Sequence, residues 1–491
     1  MLDDMSAKSI TSDPDSPSQW HQTAGCANHR DMALLSINPT TGATIATYQA
    51  HGPAEIETRL ALAGHAFAGW RDTDVAERAA ALRRVAAVLE QREDLYARLV
   101  TEEMGKPITD AHAEIAKCAT ACRYYAAEAP RMLAPEPVVT GENRSWIAFD
   151  PLGPVLAVMP WNFPFWQVFR FAAPAIAAGN VGLLKHASNV CGSALAIEEV
   201  FRLAELPTGC FQTLLVGGAA VADLIADDRI RAVTLTGSEE AGVSVAMAAG
   251  RALKKCVLEL GGSDPFIVLE DADIPLAARR AAEARVVNSG QSCIAAKRFI
   301  VVEDVAETFT RALVAAMDAL MVGDPFDPRT QVGPLARADL RDEVDAQVSA
   351  TVAAGARLLR GGHVRPGPGF FYEPTVLEDV RPGMPAFDEE VFGPVAPVIT
   401  ARGVEDAIAL ANRSRYGLGA SIWTRDLARA EALAHEIDAG LVFINDIVRS
   451  DPRLPFGGVK RSGHGRELAH YGIREFVNIR SIVMASPPGG G

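Results

Sequence analysis

Apolar residues recur at three- and four-residue steps through 54–70, 75–90 and 108–129, with Asp and Thr near the starts, so the pattern predicts three amphipathic helices. Ahead of them, the turn-rich run Ile37-Asn-Pro-Thr-Thr-Gly42 marks where ordered chain begins. After residue 151 the grammar changes. Short apolar strands at 155–159, 181–185, 213–216, 232–236 and 257–260 are separated by roughly 15–30 residues, which suits right-handed crossovers and a parallel sheet. Such a sheet places a ligand crevice at its strand ends, although the glycine fingerprint Gly-x-Gly-x-x-Gly is missing and Gly217-Gly218 is too bare to stand in for it. A second α/β region runs from about 265 to 424, its first helix expected over 272–288. The segments 135–150 and 476–484 are β-rich, lie outside the alternation, and offer edges on which another subunit can pair.

Composition narrows the class. A chain of 491 residues exceeds what one core organises, so two or three domains are expected. Hydrophobic content of 49% with 22% charged residues fits a globular enzyme. The net charge of −14 argues against nucleic acid or an anionic membrane as partner, so an anionic substrate has to be held by local cations. The seven cysteines are odd in number and scattered, without Cys-x-x-Cys or zinc spacing; reduced thiols in a cytoplasm fit, and no metal site is expected. Cys118 and Cys122, one helical turn apart, are expected to pack in a core. No apolar run reaches membrane-spanning length, and the polar start lacks a signal-peptide centre. That start and the Pro487-Pro-Gly-Gly-Gly491 tail are expected to be flexible.

The candidate chemistry centres on Asn288-Ser-Gly-Gln-Ser-Cys293, a thiol among small and polar residues, and on Leu258-Glu259-Leu-Gly-Gly262, which offers a carboxylate base. Cys293 taken alone is equally a small buried hydrophobe. Pro160-Trp161-Asn162-Phe163-Pro164 closes the first strand of the sheet; the Asn162 carboxamide can donate to an oxyanion, or the run can be a rigid aromatic turn. Lys185-His186-Ala-Ser188 ends the second strand with a cation where a ribose or phosphate fits, or with a solvated lysine. Thr236-Gly237-Ser238-Glu239-Glu240 reads as strand, turn and helix start, a diphosphate seat or an ordinary Ser cap. Glu389-Glu390-Val-Phe392-Gly-Pro394 and Pro455-Phe-Gly-Gly458-Val-Lys-Arg-Ser-Gly463 are glycine-rich runs with embedded charge.

In this order the runs resemble the aldehyde dehydrogenase superfamily over roughly residues 37–486. The resemblance implies an α/β fold with a Rossmann-type nucleotide domain (34–131 and 153–262), a catalytic α/β domain (263–440), an oligomerisation β-arm (132–152 and 470–486) and a substrate- and cofactor-site loop region (441–469), between a flexible arm (1–33) and tail (487–491). It implies NAD(P)-dependent oxidation of an aldehyde by a homodimer or homotetramer. Cys293 would be the nucleophile, Asn162 with the Cys293 amide the oxyanion donors, and Glu259 the base that activates water. Cofactor contacts would come from Trp161, Asn162, Lys185, Ser188, Gly237, Ser238, Leu260, Glu390 and Phe392. The run Asn162-Phe-Pro-Phe-Trp166-Gln-Val-Phe-Arg170 looks closest to succinate-semialdehyde dehydrogenases, which implies substrate contacts at Arg170, Trp166 and Ser450. Arg170 is the expected carboxylate reader, with a surface or salt-bridging arginine as the alternative. Val287 stands where some of these enzymes carry a second arginine, and Ala295 where some carry a redox cysteine. Ser188 stands where NAD-preferring members often place a glutamate; its absence, with Lys185 and His186 adding attraction, favours NADP with NAD still used. A general aliphatic or other ω-semialdehyde dehydrogenase is the rival within the class, and a non-oxidising hydrolase or structural protein the rival outside it.

Overall fold

The computed structural model describes residues 33–141 and 143–485. The expected flexible arm, apart from Ala33, and the 487–491 tail lie outside these residues, as does Cys26. Two mainly parallel sheets dominate. The first has six strands in the order Gly463–His464, Lys255–Glu259, Ala232–Thr236, Pro154–Met159, Val181–His186 and Phe211–Thr213, all parallel except the short first one. Its strands are runs such as Ala232-Val-Thr-Leu-Thr236, buried at every position, because helices cover both faces and no alternation with polar residues is needed. The chain leaves Pro154–Met159 towards one edge and returns to Ala232–Thr236 on its other side. The strand order therefore reverses between these two neighbours, and their carboxyl ends open the crevice where ligands bind in such sheets.

The second sheet has seven strands in the order Arg357–Arg360, Thr375–Glu378, Val395–Ala401, Ala296–Val302, Asp264–Val268, Gly419–Trp423 and Leu441–Ile444, with only the first antiparallel. Leu441–Ile444 falls in the stretch expected to be site loops. It is a strand because Leu441-Val-Phe-Ile444 completes the sheet's open edge against Gly419–Ile422. A third sheet joins Glu136–Thr140, Asn143–Pro151 and Val477–Met484 antiparallel. The α/β fold implied by the resemblance is the fold observed.

Helices Pro53–Trp70, Val75–Gln91 and Ile108–Met132 follow the periodicity closely. Between them lies Glu93–Met104, which the apolar pattern did not separate from its neighbours. The third strand comes at Phe211–Thr213 rather than 213–216, its register being set by pairing with Gly182–Leu184. Cys118 and Cys122 are buried in the helical core.

The helix Trp166–Ala177 is placed by a charge from another helix. Glu114 accepts the backbone N–H groups of Phe165 and Trp166 at 2.8 and 2.9 Å, which satisfies donors that a helix start leaves unpaired. Glu114 is in turn ion-paired with fully buried Lys106, whose ammonium lies 3.7 Å from the Phe163 ring centroid. The helix behind Pro-Trp-Asn-Phe-Pro is thereby fixed to Ile108–Met132.

Candidate active site

Cys293 lies in the connection between helix Ile274–Val286 and strand Ala296–Val302. The helix ends earlier than the expected 288, because Asn288 (φ 53°) and Ser289 (φ 58°) turn left-handed. Such conformations cost non-glycine residues about 1–3 kcal/mol each and persist only where the surroundings enforce them. Here the enforcement is visible. Asn288 Nδ2 donates to the Asn162 carbonyl at 2.7 Å, Ser289 Oγ accepts from Gly333 N at 2.9 Å, and Gln291 Oε1 accepts from Ala336 N at 2.8 Å. Arg285 donates to the Gly290 carbonyl at 2.8 Å. Gly290 (φ 81°) admits no side chain: a Cβ there would sit 2.4 Å from the Gly393 carbonyl carbon. Gly-Gln-x-Cys thus rests directly on Phe-Gly-Pro.

Lys297 finishes the clamp. Its ammonium, 2% exposed, donates to the Ser292 and Cys293 carbonyls at 2.8 Å each and pairs with Glu390 at 3.1 Å. Glu390 also accepts from Gly262 N at 3.1 Å, so Glu-Leu-Gly-Gly joins the same cluster. Asn162, buried, uses one carboxamide N–H on the Gln291 carbonyl at 3.1 Å and retains a second for an oxyanion. Cys293 is half-buried. Desolvation pushes its thiol up to about 12, with Arg170 and then Lys297 acting in the opposite direction. The resting residue is a thiol, not a thiolate.

Glu259 ends the strand Lys255–Glu259 with a buried carboxyl, neither oxygen of which has a hydrogen-bond partner among the described residues. Burial first, and then the nearby Glu467, hold its pKa well above the usual carboxylate range, while Arg170 pulls it down.

Arg170, the expected carboxylate reader, lies inside the protein. It is 1% exposed and ion-paired with Glu467; it also donates to Thr236 Oγ1 at 3.2 Å and lies 4.4 Å from the Phe456 ring centroid. Its charge already has a carboxylate partner inside the protein, as the salt-bridging alternative required. Trp166 and Ser450, the other two expected substrate contacts, converge on a residue the sequence reading passed over. Lys117 Nζ donates to Ser450 Oγ at 2.7 Å and lies 4.4 Å from the Trp166 ring centroid. The available signal was a pair of charges, Glu114 and Lys117, three residues apart beside the buried stripe Ala111, Ile115, Cys118 and Cys122.

On the nucleotide side, Ser238 caps helix Glu239–Arg251, accepting from Ala241 N at 3.3 Å, beside the half-buried Gly237. Ser188 is exposed. Lys185 is half-buried, has no ion pair among the described residues, and has its pKa lowered by burial, so it can take an anionic or hydroxyl partner. His186 cannot help it. Its ring is buried against the Pro164 carbonyl at 2.9 Å and its pKa is pushed down to about 4, which leaves it neutral. Trp161 meets Phe392 edge to face at 5.8 Å between centroids, and Leu260 is buried, its N–H donating to Ser462 O at 3.0 Å. Free helix amides, an unpaired cation and an exposed hydroxyl at the carboxyl ends of these strands fit a dinucleotide.

The aldehyde dehydrogenase family model matches residues 27–482. The chain belongs to the aldehyde dehydrogenase family. It is 55% identical over 454 residues to a probable succinate-semialdehyde dehydrogenase [NADP(+)] of Synechocystis sp., covering 92% of this chain and 100% of the relative. It is 50% identical over 448 residues to a succinate semialdehyde dehydrogenase [NAD(P)+] of Escherichia coli, covering 91% of this chain and 97% of the relative. The succinic semialdehyde dehydrogenase of Streptococcus pyogenes, solved in complex with NADP+, superimposes with a TM-score of 0.90 at 38% identity, covering 92% of this chain and 99% of that one. Among the described residues, no helix is long and apolar enough to cross a membrane.

Proposed function

We propose that this family member oxidises succinate semialdehyde to succinate with NADP+ as preferred acceptor and NAD+ as a second. The observation that supports the reading is that Asn162 is tied to the loop of Cys293 and that Cys293 and Glu259 both feel the buried charge of Arg170, in a chain half identical to dehydrogenases of that name. Cys293 Sγ, once deprotonated, adds to the aldehyde carbon. The second N–H of Asn162 and the Cys293 amide hold the oxygen of the thiohemiacetal. A bound nicotinamide would supply the hydride acceptor, and Cys293 would be left carrying the thioester. Glu259, once ionised, then takes a proton from water, whose oxygen attacks the thioester carbon and releases the acid and the thiol. The balance is one aldehyde and one water converted to one carboxylate, with one hydride and two protons leaving.

The residues that would hold the cofactor are Lys185 and Ser188 at the adenosine ribose, Gly237 and Ser238 at the diphosphate, and Trp161, Leu260, Glu390 and Phe392 towards the nicotinamide. Ser188 places no negative charge against a 2′-phosphate, which supports NADP. Reduced-nicotinamide absorbance, followed with aldehydes that carry or lack a distal carboxylate and with both cofactors, tests the reading; equal kcat/KM for succinate semialdehyde and butanal would overturn it.

We also propose a homodimer or homotetramer built through the three-stranded sheet. The edge strand Glu136–Thr140 is exposed throughout, Val139 at 95%, and Ile479 and Val483 lie open on the opposite edge strand. Unpaired strand edges with apolar side chains call for a partner. Six free cysteines among the described residues fit a reducing cytoplasm. Light scattering of the purified chain checks the assembly: a monomer would refute it.

A further inference from the structure

The Pro-Trp-Asn-Phe-Pro turn and the loop at 185–188 are both held from behind by one short stretch of chain, the end of helix Glu93–Met104. Lys106, just past it, backs Glu114 and through it the helix that follows Asn162. Glu103 does the equivalent for helix Cys191–Leu203, which follows Ser188. That helix has no side-chain cap of its own and no acidic residue in its first turn. The Glu103 carboxylate, 1% exposed, supplies both from another helix: it accepts from Gly192 N, Ser193 N and Ser193 Oγ at 2.8 Å each. Gly192 makes room for it, since a Cβ there would sit 2.8 Å from Glu103 Oε1.

The same carboxylate reaches the loop itself. Ser36 Oγ, buried, donates to Glu103 Oε1 at 2.7 Å and shares its proton with the Asn189 carbonyl at 3.2 Å, which ties Glu103 to the residue beside Ser188. Cys191 Sγ donates to the Ser188 carbonyl at 3.3 Å, and Val190 N to the Ala187 carbonyl at 3.2 Å. His186 fixes the other end. Its Nδ1 accepts from Ala187 N at 2.9 Å, so Nε2 carries the proton and donates to the Pro164 carbonyl. The backbone on both sides of Ser188 is therefore pinned, while Ser188 itself is exposed.

We propose that Glu103 is a positioning residue for cofactor choice, holding Ser188 and its neighbours in register with Lys185 through Ser36 and the start of helix Cys191–Leu203. This rests on the NADP reading above and deepens it. All four bonds to Glu103 come from donors, so whichever way a glutamine amide is turned in its place, the NH2 faces a backbone N–H. Ser36→Ala is the milder change, removing only the bridge to Asn189 and leaving the helix start capped. A displaced loop costs a 2′-phosphate more than the rest of adenosine, because charge-assisted bonds to Lys185 and Ser188 demand the closer geometry.

The test is calorimetric binding of adenosine 2′,5′-bisphosphate and of adenosine 5′-monophosphate to the full chain, without aldehyde, in the wild type, Glu103→Gln and Ser36→Ala. The wild type should bind the bisphosphate more tightly. That preference should fall about tenfold in Glu103→Gln and about threefold in Ser36→Ala, the size expected for one or two lost hydrogen bonds. In steady state the KM for NADP+ should rise in the same order, with kcat at saturating cofactor and the KM for aldehyde kept within about twofold. A cap that is only structural would lower Tm and weaken both probes equally, leaving the preference where it was. A preference unchanged in either variant overturns the proposal and leaves the NADP reading intact. A wild type that does not prefer the bisphosphate overturns both. Should Glu103→Gln not fold, Ser36→Ala alone decides.

Discussion

The nucleophile and the base of this site are built in opposite ways. The Cys293 loop is held by Asn288, Ser289, Gln291, Arg285 and Lys297, each with a hydrogen bond to a fixed backbone group, and two of its residues tolerate left-handed strain as a result. Glu259 is buried too, yet its carboxyl has no hydrogen-bond partner among the described residues. Attack on a carbonyl needs one geometry, so rigidity serves the thiol. A base has to meet a water and exchange a proton, so unengaged oxygens serve the carboxyl, at the cost of a strongly raised pKa.

The sharpest way to break the contrast is to remove the nucleophile. Cys293→Ala should lower kcat by about 10^4-fold or more in a reduced-nicotinamide assay, since no other group here can form the thioester. Near-normal turnover would refute covalent chemistry. Glu259→Gln should separate the two sides: a burst of about one reduced nicotinamide per site survives in stopped flow, while steady-state turnover falls about 10^2- to 10^4-fold.

The pH behaviour of that pair carries a sign. The folded pKa of Glu259 lies above its unfolded value, so its stabilising contribution is complete below about 4.5, the ordinary glutamate value, and is lost as pH rises through the raised folded pKa. Glu259→Gln should therefore raise Tm more at alkaline than at acid pH, and should flatten the rise of kcat with pH wherever deacylation limits the wild type. A Tm difference that grows towards acid pH would contradict the raised pKa of the buried carboxyl.

Loosening the rigid side should cost less. Lys297→Met removes donors to the Ser292 and Cys293 carbonyls and leaves Glu390 without its ion pair, so a loss of about 2–4 kcal/mol in urea unfolding is expected. Iodoacetamide should then alkylate Cys293 with altered rate; unchanged stability and reactivity would show that the clamp is incidental. The mildest change lies outside both sides. Ser188→Glu sets a carboxylate against a 2′-phosphate, a repulsion of roughly 1–4 kcal/mol at 4 Å, and should lower the NADP to NAD ratio of kcat/KM about tenfold or more with kcat on NAD nearly kept. A ratio unmoved by the glutamate would remove Ser188 from cofactor choice.

Much of this was legible in the chain. Strand cores such as Ala232–Thr236 and helices such as Ile108–Met132 follow from periodicity, because burial on one or both faces writes itself into local sequence. The family runs named Cys293, Glu259 and Asn162 by residue type and spacing. What local sequence could not state is who neutralises whom. Arg170 and Glu467 are 297 positions apart, and Lys117 and Ser450 are 333 apart, so only the folded packing of helix against loop decides that one cation meets a carboxylate and the other a hydroxyl. His186 looked like a helper for a phosphate until its ring proved to be turned inward onto the Pro164 carbonyl. The edge strand Leu441–Ile444 looked like loop until the neighbouring strand supplied its hydrogen bonds. Periodicity records where a residue is buried; electrostatic compensation and sheet pairing are properties of contacts between distant segments, and they exist only once the chain has folded.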